Sequence, residues 1–326
     1  MKLLITGGAG FIGSNFVRRI SDGSLVGISA VTVLDKLTYA GVLANLDIAK
    51  AMENFRFIEG DICDSKLVSE LLADVDAVVN FAAESHVDRS IGSAAEFVET
   101  NVAGVQVLLD AIKSSGRKIR FIQVSTDEVY GSIESGSWTE EWPLMPNSPY
   151  SATKAGGELL ARAYHKTHGL DVVITRCSNN YGTHHFLEKL IPLFVTNLLE
   201  EKKVPVYGNG KNVRDWLQVD DHCRGIHKVL MNGRSGEVYN IGGGRELTNL
   251  EITHLILEAM GKDESSIEYV EDRKGHDLRY SVDWTKIKNE LGYEPQVKFE
   301  DGLRDTIKWY RDNETWWKPL KERAGL

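Results

Sequence analysis

The apolar run Lys2-Leu3-Leu4-Ile5-Thr6 leads without a break into Gly7-Gly8-Ala9-Gly10-Phe11-Ile12-Gly13 and then into a helical stretch, residues 14–20. A strand that turns through spaced glycines into a helix is the opening of a doubly wound α/β sheet. Gly7 permits the tight turn, Gly10 lets a ligand approach the backbone, and Gly13 lets the helix lie close on the strand. The alternation of strand and helix then repeats. Strands are expected at residues 31–34, 55–59, 77–81, 119–124 and 172–175, and helical apolar spacing fills 96–112 and 152–168. Short continuous apolar strands between helices are buried on both faces, which calls for a parallel sheet with right-handed crossovers.

Beyond Thr175 the alternation loosens. Residues 177–186 are polar, aromatic and rich in turn formers, and 202–210 carry Pro205, Gly208 and Gly210. Residues 238–241 read as one more strand, and the chain from Asn249 is helical and then mixed. The expected fold is therefore α/β: a Rossmann-type doubly wound parallel sheet with a smaller mixed α/β substrate-binding domain. The expected division gives residues 1–176 and about 215–243 to the sheet domain, and 177–214 with 244–326 to the smaller one.

A chain of 326 residues, 42% of them hydrophobic, is long enough for both. A net charge of −9 argues against nucleic acid or an anionic membrane as partner. No apolar stretch is long enough to cross a bilayer, and a strand that begins at Lys2 argues against a cleaved signal peptide. Cys63, Cys177 and Cys223 show no paired spacing, which fits a reducing cytoplasm.

The glycine turn presents a helix N-terminus, with free N–H groups and partial positive charge, to phosphates. Asp35 ends the second strand, 22 positions past Gly13. There it can accept from ribose hydroxyls and repel an additional phosphate, so the expected cofactor is NAD; Lys36 beside it leaves NADP open. Gly60-Asp61-Ile62 suits an adenine contact, with Asp61 accepting from the exocyclic amine. Phe81-Ala82-Ala83-Glu84-Ser85 supplies small residues where backbone passes close to a cofactor.

The fifth strand runs into Ser125-Thr126-Asp127-Glu128-Val129-Tyr130-Gly131. Two adjacent carboxyls at the end of a buried strand are costly unless hydrogen-bonded or set in a wet site. Tyr150 and Lys154 share a helix face at i,i+4 spacing. A phenol with pKa ~10 is a poor base at neutral pH, and a lysine one turn away is expected to lower it. A hydroxyl, an acid, a carboxylate base and a Tyr/Lys couple in one pocket can run more than one proton transfer. His222, Cys223 and His227 lie on one predicted helix without a further ligand, so no metal is expected.

The glycine pattern, Ser125/Thr126 and Tyr150-x-x-x-Lys154 resemble the extended short-chain dehydrogenase/reductase family. Asp127-Glu128 resembles the acid pair of its nucleoside-diphosphate-sugar 4,6-dehydratases, as do residues 82–90, 176–182 and 188–192 and Arg214-Asp215-Trp216. The resemblance implies an NAD-dependent hydro-lyase acting on dTDP-glucose, with a 4-keto-6-deoxy product. It implies Tyr150 as base and Thr126 as hydrogen-bond partner at the C4 oxygen, with Lys154 supporting them, Glu128 as base at C5 and Asp127 as acid at C6. It adds Phe11, Ile12, Thr38, Ser85, Thr100 and Asn180 to the cofactor contacts. For the substrate it implies Ser85, Asn179, Glu188, Lys189, Pro205, Tyr207, Arg214, Asn249, Arg273 and His276, and it implies a homodimer. Another nucleotide-hexose dehydratase, a 4-epimerase or decarboxylase of the same family, and a non-catalytic dinucleotide sensor are the alternative readings. One stretch departs from the pattern. Where the family usually has Tyr-Gly-Pro-Tyr-His-Phe-Pro-Glu-Lys, this chain has Tyr181-Gly182-Thr183-His184-His185-Phe186-Leu187-Glu188-Lys189. The loss of two prolines predicts a less rigid loop over the sugar.

Overall fold

The alternation of apolar runs and helices closes into one seven-stranded sheet with a second lobe built beyond its strand ends. The computed structural model describes residues 1–326. Its strands are β1 (Lys2–Thr6), β2 (Ala30–Asp35), β3 (Phe55–Glu59), β4 (Ala77–Asn80), β5 (Arg120–Thr126), β6 (Val172–Cys177), β7 (Asn179–Tyr181), β8 (Val204–Tyr207), β9 (Val213–Gln218), β10 (Val238–Ile241), β11 (Glu246–Thr248) and β12 (Ile267–Val270). The helices are α1 (Phe11–Ser21), α2 (Ser65–Leu71), α3 (Val87–Gly92), α4 (Ala95–Val98), α5 (Val105–Ser115) and α6 (Pro149–His168) in the first half of the chain. The second half adds α7 (Leu190–Leu199), α8 (Val219–Asn232), α9 (Asn249–Met260), α10 (Thr285–Leu291), α11 (Phe299–Asp312) and α12 (Glu314–Ala324).

The large sheet runs β10-β6-β5-β4-β1-β2-β3 with every pair parallel. Its strands are apolar on both sides because both sides are covered. Leu3 and Ile5 enter the core shared with α1 and α8, while Leu4 between them enters the core shared with α2 and α5. Register brings the carboxyl ends level: Thr6 lies beside Leu34 and Asn80, and Thr126 beside Cys177. The segments that leave these ends therefore meet on one rim.

The smaller lobe holds two short sheets, β11-β9-β7 and β12-β8. Helices α7, α9, α11 and α12 pack around Trp216, Tyr310 and Trp317 in its core. The chain crosses between lobes repeatedly. β9 pairs within the small sheet, α8 and β10 return to the large one, and Ile287 of α10 is again buried in the large-sheet core. No helix is long and apolar enough to cross a membrane.

Three local expectations are corrected. Residues 177–186 hold a strand, β7, which the turn formers around it obscured. The helix expected at 96–112 is three pieces, with a wide π turn at Glu99–Gly104. That turn lets Asn101 donate to the Glu84 carbonyl and the Thr153 hydroxyl, both at 3.0 Å, so it pins the end of β4 to α6. Finally, α1 begins at Phe11 rather than Ser14, directly on the glycine turn.

A buried ion pair ties α6 to β6. Arg176 Nε donates to both carboxylate oxygens of Glu158, at 3.0 and 3.1 Å. Its Nη1 donates to the Tyr130 hydroxyl (2.6 Å), which in turn donates to Asn240 Oδ1 (2.9 Å). The network joins the helix of Tyr150 to the turn of Asp127 and Glu128. Glu158→Gln would leave the guanidinium charge buried and unpaired, and we expect it to cost about 3–5 kcal/mol in urea unfolding. A midpoint and slope equal to those of the unaltered chain would show the pair to be dispensable.

Candidate active site

Two cavities open on the rim where the strands end. The first, about 300 Å3, lies over the large sheet and is lined by the glycine turn and the ends of β2, β4, β5 and β6. The second, about 380 Å3, lies between the lobes. They meet at Glu128, Asn179, Glu188 and Lys189, which line both.

All the sequence-predicted cofactor residues line the first cavity: Gly7, Gly10, Phe11, Ile12, Gly13, Asp35, Lys36, Thr38, Asp61, Ile62, Phe81, Ala82, Ala83, Ser85, Thr100, Tyr150, Lys154 and Asn180. The glycines explain the shape. A Cβ on Gly7 would fall 2.4 Å from Ala82 N, and one on Gly13 2.3 Å from Gly7 O. A Cβ on Gly10 would meet only Gly7 O at 3.4 Å, so this position faces the cavity, and it caps α1 with no side chain. The first-turn N–H groups of α1 are thus left to an anion. Asp35 is held by Ala9 N and Leu37 N, both at 2.8 Å. Ser125 Oγ and Asn179 Oδ1 are buried without a partner on the cavity wall. These features fit NAD.

Asp61 is less free than expected. Its Oδ1 accepts from Cys63 N at 2.9 Å and its Oδ2 from the Lys36 ammonium at 2.6 Å. Lys36 is therefore neutralised where an additional ribose phosphate would need it. His222, Cys223 and His227 turn to separate partners: Asn180 Oδ1, Asn15 Nδ2 and the Val26 carbonyl.

β5 ends at Thr126, whose Oγ1 accepts from Glu128 N at 3.3 Å and turns the chain into a short 3-10 turn, Asp127–Tyr130. Asp127 is fully buried and Glu128 partly so, and the loss of solvent raises both above the usual carboxylate range. Their neighbours then separate them. Asp127 faces the carboxylates of Glu128 and Asp215, which push it well up, and its Oδ2 has no partner. Glu128 faces Lys189, Arg214 and Arg273, which pull it back down. Asp215 is itself fixed by Ser178 Oγ, Gly243 N and Arg245 N, at 2.5, 2.9 and 2.9 Å.

α6 starts on a capping box, Ser148 with Ser151, so Tyr150 sits on a rigid first turn and Lys154 one turn further on. Lys154 Nζ donates to the Val124 carbonyl at 2.7 Å, and burial lowers its pKa to about 8. The expected lowering of the Tyr150 phenol by Lys154 does not appear. Burial raises the phenol first, and the Glu128 carboxylate raises it further, with Thr126 opposing.

The second cavity gathers Asn179, Glu188, Lys189, Pro205, Tyr207, Arg214, Asn249, Arg273 and His276; Ser85 and Thr126 reach the site from the cofactor side. Lys189 Nζ donates to the Ser85 carbonyl at 3.0 Å. Arg214 lies over the Tyr280 ring, 4.2 Å from its centroid, with Nη2 on the Asp277 carbonyl at 3.0 Å. Arg273 pairs with Asp88 (2.8 Å) and lies 5.3 Å over the half-exposed Tyr207 ring. His276 Nδ1 meets Asp272 at 2.7 Å. Three guanidinium or ammonium groups at one end and an acid pair at the other suit an anionic sugar derivative.

The profile of the GDP-mannose 4,6 dehydratase family matches residues 4–306. The chain belongs to that family. Within it, the chain is 59% identical over 323 residues to a dTDP-glucose 4,6-dehydratase of Streptomyces niveus, covering 98% of this chain and 96% of that protein. A dTDP-glucose 4,6-dehydratase from Streptomyces venezuelae, solved with NAD bound, superposes with a TM-score of 0.97 at 60% identity, over 98% of this chain and 100% of that one. A Bacillus anthracis dTDP-glucose 4,6-dehydratase in complex with NAD gives 0.91 at 49% identity, with 98% and 100% covered.

The family departure at 183–187 sits differently from what the missing prolines suggested. The loop is packed, and it borders the first cavity and not the second. His185 and Phe186 line that cavity, and the His185 ring stacks on Phe11 with centroids 4.0 Å apart. Two groups at or behind the cavity walls escaped sequence reasoning. Tyr39 donates to Glu188 (2.9 Å) and lies under the Arg89 guanidinium. Asp277 accepts from Tyr280 and Asn147. The charged and aromatic spacing Arg273–His276–Asp277–Tyr280 was the signal available for the second group. The first joins residues 149 apart and left none.

Burial holds His86, His184 and His222 neutral, each lowered to about 3. Below pH 6.5 the unfolded chain binds protons that these folded imidazoles refuse, so stability is lost as pH falls from 6.5 toward about 3. Thermal midpoints across that range should decline, and His222→Gln, which removes one such group, should flatten the decline. An identical slope in the variant would contradict the assignment.

Proposed function

We propose that this chain converts dTDP-glucose to dTDP-4-keto-6-deoxyglucose, and that the acid pair at the junction of the two cavities carries the reaction. Bound NAD supplies the hydride acceptor for C4 oxidation and returns the hydride to C6. Tyr150 takes the C4 hydroxyl proton as a phenolate, a form that the positive charge of bound nicotinamide would favour against the burial that raises it, while Thr126 hydrogen-bonds the C4 oxygen and Lys154, tethered to Val124, steadies that end of the site. The resulting ketone acidifies C5. Glu128, kept ionisable by Lys189, Arg214 and Arg273, removes the C5 proton. Asp127, kept protonated by burial and by Glu128 and Asp215, delivers its proton to the C6 hydroxyl as the C6–O bond breaks, and water leaves. Glu128 then returns its proton to C5. Lys189, Arg214 and Arg273 face the diphosphate, and Tyr207 with Pro205 faces the base.

A 4-epimerase has no use for an acid and a base at C5 and C6, which favours elimination over epimerisation. The Lys36–Asp61 ion pair favours NAD over NADP. Free thiols at Cys63, Cys177 and Cys223 accord with a reducing compartment such as the cytoplasm. Ile91, Val98 and Leu159, on α3, α4 and α6, are 40%, 49% and 52% exposed and accord with a homodimer. Light scattering should return twice the chain mass, and Leu159→Glu should return one.

The chemistry is tested by incubating the protein with dTDP-glucose, UDP-glucose and GDP-mannose without added reductant. dTDP-glucose should yield a product lighter by one water; no water loss from any of the three would refute the reading. Elimination needs Glu128 ionised and Asp127 protonated. Its rate should therefore fall below a limb set by Glu128 and above a higher one set by Asp127. Asp127→Asn should slow elimination by about 100-fold or more and erase the alkaline limb. Glu128→Gln should keep C4 oxidation and lose exchange of the C5 proton with solvent deuterium.

A further inference from the structure

We propose that α11 and α12 act through the loop at 183–187 as a clasp that sets how slowly the cofactor leaves. The inference rests on the reading of the glycine-lined cavity as an NAD site, and it concerns residues outside that cavity. A reaction that must return its cofactor to the starting oxidation state on the same sugar gains from slow release.

The contacts form a closed circuit. His185 of the smaller lobe stacks on Phe11, the first residue of α1. The His185 carbonyl accepts from the Tyr310 hydroxyl of α11. His184 packs on Trp309 of α11 and Trp316 of α12, with centroids 4.2 and 5.5 Å away. Trp316 Nε1 donates to Asn45 Oδ1 at 3.0 Å, and Asn45 Nδ2 donates to the carbonyl of Ala9, inside the glycine turn, at 3.2 Å. The circuit thus leaves the phosphate-binding turn through Phe11 and re-enters it through Ala9.

A second strap lies alongside. Arg323 of α12 donates to the Tyr39 carbonyl at 2.8 Å, and the Tyr39 ring meets Phe186 edge-on at 5.5 Å. Thr38 and Ala40, flanking Tyr39, line the cofactor cavity. Both cavity-bordering loops are therefore tied to the same C-terminal helix. His184 has φ 62°, in the left-handed region that non-glycine residues rarely occupy. The two tryptophans supply contacts that hold it there. His184, Trp309, Trp316 and Arg323 line neither cavity, so they act on retention without touching a bound molecule.

The test reads cofactor release. Protein loaded with NAD is transferred to NAD-free buffer and the retained NAD is measured over time. H184A removes the ring packed on Trp309 and Trp316, while W316F keeps a ring and removes the bond to Asn45. Release should quicken by about tenfold in either variant, since such changes act on dissociation. At saturating added NAD, kcat and the KM for dTDP-glucose should stay at the unaltered values. Release within about twofold of the unaltered rate in folded W316F would overturn the clasp, whether or not H184A folds. A raised sugar KM with unchanged NAD release would overturn it too, marking a general loosening. Unaltered protein that retains no NAD would overturn the reading of the cavity itself, and the clasp with it.

Discussion

Two neighbouring carboxyls buried at the end of a parallel strand cannot both ionise, so their surroundings decide which keeps its proton. The surroundings here are lopsided. Asp127 looks toward Asp215, whose own burial raises it while one hydroxyl and two backbone N–H donors oppose that rise and hold its carboxylate in place. Glu128 looks across the interlobe cavity toward Lys189, Arg214 and Arg273. The large sheet supplies the desolvation and the smaller lobe supplies the charges. Neither lobe alone would produce an acid beside a base.

That division explains why the chain passes between lobes so often. Asp215 and Arg214 are adjacent on β9 and so alternate in direction, one toward Asp127 and the Ser178 hydroxyl, the other toward Tyr280 and Asp277. A strand placed between the lobes therefore serves both members of the pair at once. The return of α8 and β10 to the large sheet fixes that strand from its far side. Lys189 works in a similar way, standing at the start of α7 while its ammonium is held by the Ser85 carbonyl beyond β4.

The sheet was legible because buried parallel strands carry their pattern in consecutive residues. Strand ends were legible too, wherever a short motif such as the glycine turn or Thr126-Asp127-Glu128 comes next. Features that could not be read depend on partners distant in sequence. β7 is a strand because β9 pairs with it, not because Asn179-Asn180-Tyr181 favours one. The π turn at Glu99–Gly104 exists because Asn101 reaches Glu84 and Thr153. The electrostatic influence on Tyr150 was misjudged for the same reason. Spacing places Lys154 one turn away, yet its ammonium is committed to Val124, and burial with the Glu128 carboxylate beyond the end of β5 acts on the phenol instead.

The loop at 183–187 shows how a local departure can be absorbed without softening the site. Proline restricts a loop covalently, whatever surrounds it. This chain replaces that restriction with packing: a left-handed histidine between two tryptophans and a second histidine stacked on Phe11. Rigidity obtained from tertiary contacts lasts only while those contacts do. The loop's order is therefore coupled to the seating of α11 and α12, and through Asn45 and Ala9 to the glycine turn. A proline-bearing loop would keep its shape with the C-terminal helices displaced, whereas this one makes their docking part of the cofactor cavity.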